Sequence, residues 1–143
     1  MKLPARRRIL GFDAQGAAAR LRPMLREFVH VKQERRKGRR RWFESDGFEL
    51  VVWFDQADQL EGFQLCYDFG RGEHALTWRP VVGFAHSAVD SGDNPRGGSK
   101  RTPILIPDGN VPWEDLMARF AERSASLEPG LRQLISARLA AKT

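Results

Sequence analysis

Cysteine is nearly absent: Cys66 is the only one among 143 residues. No disulfide can form within the chain, as expected of a protein from a reducing compartment. A single thiol also excludes a cysteine-built structural zinc site. Histidine is scarce, and His30, His74 and His86 show none of the HxH, HxxxH or HExxH spacings that ligate metals. No metal or cofactor is therefore expected. No apolar run approaches the roughly 18 residues of a membrane-spanning helix. The opening stretch, MKLPARRRILGFDAQGAAARL, lacks the apolar core of a secretory signal. Its arginines suit an organellar transit peptide, but it has no serine, and Pro4, Gly11 and Gly16 interrupt any amphipathic helix. These absences point to a cytoplasmic protein without a membrane segment.

Acidic residues are missing where basic ones are densest. Residues 1–41 carry 14 Lys/Arg against Asp13, Glu27 and Glu34, a balance of +11. Residues 42–143 carry 10 Lys/Arg against 15 acids, a balance of −5, and the two give the formal +6. Such an asymmetry marks an anion-facing arm or edge on a mildly acidic body.

With 41% hydrophobic and 29% charged residues, the chain has the make-up and length of one globular domain, residues 1–143, in which 1–12 reads as a basic arm. Residues 13–27 predict a short helix that Asp13 caps and that Gly16 and Pro23 weaken. From residue 28 the hydrophobic period becomes two. Asp46-Gly47 is a favoured two-residue hairpin turn, and it sets Trp42 opposite Val51 and Phe43 opposite Leu50. Turns centred on Lys37-Gly38, Asp58-Gln59 and Arg71-Gly72 complete a meander of about six strands: 28–36, 39–45, 48–55, 63–69, 74–79 and 84–89. Asp58-Gln59 would pair Phe54 with Phe63, and Arg71-Gly72 would pair Leu65 with Trp78. One face then collects Phe43, Phe48, Leu50, Val52, Phe54, Phe63, Leu65, Tyr67, Phe69, Leu76 and Trp78. The segment 90–103 reads as a loop, and ILIP (104–107) as a short further strand. Two helices follow, near 113–124 and 127–141. The first carries the stripe Trp113, Leu116, Met117, Phe120 and Ala121, and the second, capped by Ser126, carries Leu131, Leu134, Ile135 and Leu139. The expected fold class is α+β: an antiparallel meander with two C-terminal helices packed on one face.

GFQLCYD (62–68), ALTW (75–78), TPIL (102–105) and a helix opening after Asp108-Gly109 resemble a family of small uncharacterised bacterial proteins. The resemblance spans roughly residues 40–140. It implies a bacterial cytoplasmic protein and brings no activity, cofactor or catalytic residue.

Two regions are chemically distinctive. The hairpin tip RRKGRRR concentrates Arg35, Arg36, Lys37, Arg39, Arg40 and Arg41, with Trp42 and Phe43 directly behind. Arginines beside aromatics track phosphates and stack on bases, although cations also protect an edge strand. The second region is the sheet face opposite the apolar one. There Trp42, Glu44, Glu49, Trp53, Gln64, Cys66, Asp68 and Arg79 form a mixed surface. Either helix 13–27 covers it with Leu21, Met24 and Leu25, or it is a ligand platform with aromatic walls or a protein interface. Glu44 and Glu49 fall opposite one another, an unfavourable like-charge pair unless solvated. Cys66, on a central strand, reads as a small buried residue rather than a nucleophile. GGSKRT lacks the GxxxxGK[ST] order of a phosphate loop.

Three functions are compatible with these features. The first is a binding module for an anionic partner such as nucleic acid, through the basic hairpin. The second is a small-molecule binding protein or enzyme using the Trp42/Trp53 face, and the third is a protein–protein adaptor. The sequence assigns no substrate, catalytic residue or oligomeric state.

Overall fold

The computed structural model describes residues 24–29, 31–33, 38–69, 72–90, 104–107 and 109–141. The expected arm, residues 13–23 of the expected N-terminal helix, Arg35, Arg36, Lys37 and the 91–103 loop lie outside the described residues. Among those described, seven strands form one antiparallel sheet in strictly sequential order: β1 (Arg26–Glu27), β2 (Arg40–Ser45), β3 (Phe48–Phe54), β4 (Leu60–Tyr67), β5 (His74–Arg79), β6 (Gly83–Asp90) and β7 (Ile104–Pro107). Helices α1 (Trp113–Arg123) and α2 (Pro129–Ala141) follow, separated by a 3₁₀ turn at Ser124–Ser126. The α+β meander is as the periodicity predicts.

Asp46-Gly47 makes the turn between β2 and β3, with Gly47 at φ +66°, where a Cβ is disfavoured. Trp42 pairs with Val51 and Phe43 with Leu50, as that turn dictates. The next two registers differ from expectation by two residues. Val52, not Phe54, faces Phe63, and Phe63, not Leu65, faces Trp78. For the β3–β4 register the cause is side-chain chemistry in the turn. The Asp55 carboxylate accepts the N–H groups of Ala57 and Gln59, while Gln59 O accepts the Asp55 N–H, so the β3–β4 turn closes at Asp55–Gln59. Because each slip is even, every side chain keeps its face. Phe69 does not: Asp68 takes φ +58°, strand alternation stops, and Phe69 packs on the other face with Cys66, Ala75 and Val89.

Among the described residues of the expected 28–36 strand (28, 29 and 31–33), none lies in a strand. Residues 26–27, expected to end the N-terminal helix, pair with Phe43 and Glu44 instead. Beyond them the Gln33 side-chain amide takes the place of a strand, accepting the Arg40 N–H and donating to the Arg40 carbonyl at 2.8 and 2.7 Å. Gly38 passes so close to the end of β3 that a Cβ there would lie 1.7 Å from Phe54 O. That approach requires glycine at this position, and the expected turn at Lys37-Gly38 lies partly outside the described residues.

Both helices close over the apolar face. Leu116 and Phe120 of α1 and Leu131, Ile135 and Leu139 of α2 join the strand residues Phe43, Phe48, Leu50, Val52, Phe63, Leu65, Leu76 and Trp78 in one buried core, to which Leu25 is added. Two stripe positions miss it: Leu134 and Ala121 are exposed. Ser126 does not cap α2; its hydroxyl donates to Leu25 O at 2.6 Å, and α2 starts on Pro129, whose fixed φ suits a first helical turn. The C-terminal end of α1 is tied to the β2–β3 turn, where Arg123 donates to Ser45 Oγ and Asp46 O.

Phe120→Ala is expected to destabilise by about 3–5 kcal/mol, the usual range for deleting a buried aromatic side chain. A denaturant melt showing a cost near zero would place α1 elsewhere. Gly38→Ala should also destabilise, because its new methyl meets the backbone oxygen of Phe54; an unchanged denaturation midpoint would contradict that packing.

Candidate anion-binding edge

The described arginines of the basic segment serve three different purposes. Arg41 points to the helix side and lies over the Phe43 ring. Its guanidinium donates to both carboxylate oxygens of Glu27 at 2.6–2.8 Å and to both of Glu128 at 2.7–2.8 Å. Its side chain is only 15% exposed, and hydrogen bonds to Glu128, then Glu27, raise its pKa further. Arg41 therefore pins β1 and the start of α2 to β2 and is not available to a partner. Arg39 is exposed, laid on the Phe54 ring at 4.9 Å and touching Asp58 at 3.2 Å. Arg40 projects from the opposite face, over the Trp42 indole at 6.0 Å, and donates to Lys32 O.

A second cation–aromatic pair sits in the same row of the sheet. Arg40 is the cross-strand partner of Trp53, and Trp53 of Gly62. Glycine leaves room there for the Arg79 side chain, whose guanidinium stacks on Trp53 at 4.5 Å. Thus Arg39, Arg40 and Arg79 gather at one end of the sheet, each resting on a ring. Among the described residues, the acids of this end are Asp55, which caps its own turn, exposed Asp58, and exposed Glu61.

The remainder of the second face is closed to solvent. Trp42, Glu49, Val51, Gln64, Cys66, Ala75 and Thr77 are buried, whereas Glu44 and Trp53 are half-buried. Gln64 donates to Thr77 Oγ1 at 2.8 Å, and Cys66 leans on Gln64 Oε1 at 3.6 Å. Phe28 meets Trp42 edge-on, with centroids 6.0 Å apart. Glu44 and Glu49 are cross-strand partners, as the DG turn requires. Asp68 is not with the others: it pairs at 2.8 Å with Arg119 of α1, which also binds Asp115 and whose pKa the Asp68 hydrogen bond raises.

A further cluster lies on the helix side. The rings of Tyr67, His74 and His86 stack, with His74 and His86 5.0 Å apart at 10°, and the Tyr67 hydroxyl meets His86 Nε2. Nearby, Phe84, His86, Ser87, Val111 and Trp113 line a groove of about 590 Å³. Sequence spacing conceals this cluster, since its members lie on three strands. Parity was its one signal, because His74 alternates with core-facing Leu76 and Trp78. Among the described residues no group of three His, Cys, Asp or Glu side chains is placed to hold a metal ion. No described helix is long and apolar enough to cross a membrane.

No family model, curated protein or solved structure matches the chain, and the resemblance over residues 40–140 therefore carries no functional argument.

Glu128 gives the Arg41 junction a pH dependence. The Arg41 hydrogen bond holds the Glu128 carboxyl below its ordinary value of 4.5. A carboxylate depressed in the folded state stabilises above its unfolded pKa, and that contribution disappears as pH falls through the folded one. Glu128→Gln should therefore lower stability slightly at pH 7 and flatten the loss below about pH 4.5, the effect being small because Glu128 is exposed. Identical acid limbs in wild type and variant, followed by denaturant midpoint, would refute this role.

Proposed function

We propose that the chain is a binding module for a polyanion, with nucleic acid as the partner class, and that its contact surface is the sheet end bearing Arg39, Arg40 and Arg79. The observation that carries this reading is the stacking of all three guanidiniums on aromatic rings. A stacked guanidinium keeps its in-plane N–H donors for phosphate oxygens, and its rotamer freedom is already reduced before a partner arrives. The Arg39–Asp58 pair is solvent-exposed on both sides and so contributes little; a phosphate can displace it. Arg35, Arg36 and Lys37 belong to the segment that joins residue 33 to residue 38, and they add positive charge to the same region of sequence. Burial of Trp42, Gln64 and Cys66 favours this edge over an open platform in the middle of the second face.

Six cations neutralising phosphates would make log affinity fall with log salt at a slope of about −4 to −5. Arg39→Ser/Arg79→Ser should reduce the slope by about 1.5–2 while the melting transition stays near wild type. Fluorescence anisotropy with labelled single-stranded and duplex oligonucleotides at several salt concentrations measures both. Absence of binding at low salt, or an unchanged slope in the double variant, would remove the polyanion reading.

A further inference from the structure

Two buried donors at this edge have no acceptor. Trp42 Nε1 and Arg40 Nε are each inaccessible to solvent and make no hydrogen bond, although Trp42 as a whole is only 6% exposed. Both belong to alternate residues of β2 and so point to one side, with the Arg40 guanidinium carbon 6.0 Å from the indole centre. Leaving a buried N–H unpaired is unfavourable, and leaving one on a charged group more so. Neither group can accept a hydrogen bond, because indole and guanidinium offer donors alone. A neutral hydroxyl or carbonyl oxygen can accept from this pair, but an oxygen bearing negative charge satisfies it with the stronger, charge-assisted hydrogen bonds.

We infer that Arg40 and Trp42 form a phosphate subsite, in which one phosphodiester group accepts hydrogen bonds from Arg40 Nε and Trp42 Nε1; this inference rests on the polyanion reading and specifies its central contact. The neighbouring segment supplies the entry route. Arg40 Nη2 is engaged by the Lys32 carbonyl at 2.9 Å, a neutral acceptor that an oxyanion outcompetes. Residues 31–33 are otherwise held to β2 by the Gln33 amide alone among the described hydrogen bonds. Phosphate entry displaces the Lys32 carbonyl from Arg40, and the two orphan donors become paired. The donor pair then makes the subsite selective for oxyanions over neutral ligands, while Arg39 and Arg79 supply charge without this directionality.

The indole N–H resonances of Trp42, Trp53, Trp78 and Trp113 report the subsite directly in ¹⁵N–¹H correlation spectra. Inorganic phosphate and, separately, sodium acetate at equal ionic strength are the probes, with a short labelled oligonucleotide as the third arm. The expected result is a saturable downfield shift of the Trp42 indole alone with phosphate, and a weaker effect with acetate. Trp42→Phe, which keeps the ring and removes the donor, should weaken phosphate binding about tenfold or more. Arg40→Lys, which keeps the charge and removes the Nε donor, should do the same, so the conclusion does not depend on one variant folding. If phosphate binds while the Trp42 indole stays still, or if acetate shifts it equally, the phosphate subsite is overturned. If the oligonucleotide binds both variants with wild-type affinity, the subsite is likewise overturned and the polyanion reading survives. If nothing binds in any arm, both fall.

Discussion

Phe43, Leu50, Leu65 and Leu76 lie side by side across β2, β3, β4 and β5, and the two helices close over them. That row depends on strand parity: each residue is an even number of steps from the next apolar one along its own strand. A one-residue slip anywhere would turn a buried leucine or phenylalanine to the second face and bring a tryptophan, glutamate or arginine under the helices. A two-residue slip changes neighbours but not faces. This tolerance explains how both the β3–β4 and β4–β5 registers shift while Val52, Phe63, Leu65, Tyr67, Leu76 and Trp78 all remain in the core.

Parity also sorts the basic segment. Arg39 and Arg41 fall on the helix side and Arg40 on the other, because consecutive strand residues alternate. Arg41 meets Glu27 and Glu128 and becomes a structural clamp, with its charge neutralised by two carboxylates. Arg39 reaches only an exposed aspartate beyond the strand end, and Arg40 finds a tryptophan and a backbone carbonyl. Three adjacent arginines of identical chemistry thus divide into one anchor and two surface donors. The division arises from position, since the same guanidinium is a clamp where two acids converge and a solvent-side donor where they do not.

Gly62 links the edge to the rest of the sheet in a comparable way. Its missing side chain lets Arg79 cross to Trp53, and a Cβ at that position would lie 2.6 Å from Trp78 O. Without the gap, the Arg79–Trp53 stack and the β4–β5 pairing would compete for the same space. The cationic end therefore rests on a backbone requirement in the interior strand as much as on its arginines.

The sequence by itself determined the α+β meander, the face to which the strand residues from Phe43 to Tyr67 and Leu76 to Trp78 point (Phe69 and Leu25 excepted) and the pairing across Asp46-Gly47, because these follow from alternation and from local turn chemistry. It also determined that positive charge concentrates before residue 42. Long-range contacts decided the rest. Nothing near Arg41 in sequence shows that Glu128, 87 positions away, completes its clamp. Beside β2, the described residues 31–33 are joined to Arg40 through the Gln33 side chain rather than by strand pairing, a choice open only once β2 and the segment beside it meet. The stacks of Arg79 on Trp53 and of His74 on His86 bring together residues of different strands, whose neighbours are set by registers that differ from those the turn positions alone predict. Periodicity encodes which way a side chain points; what it touches there depends on which strands and helices arrive beside it, and that was settled by packing.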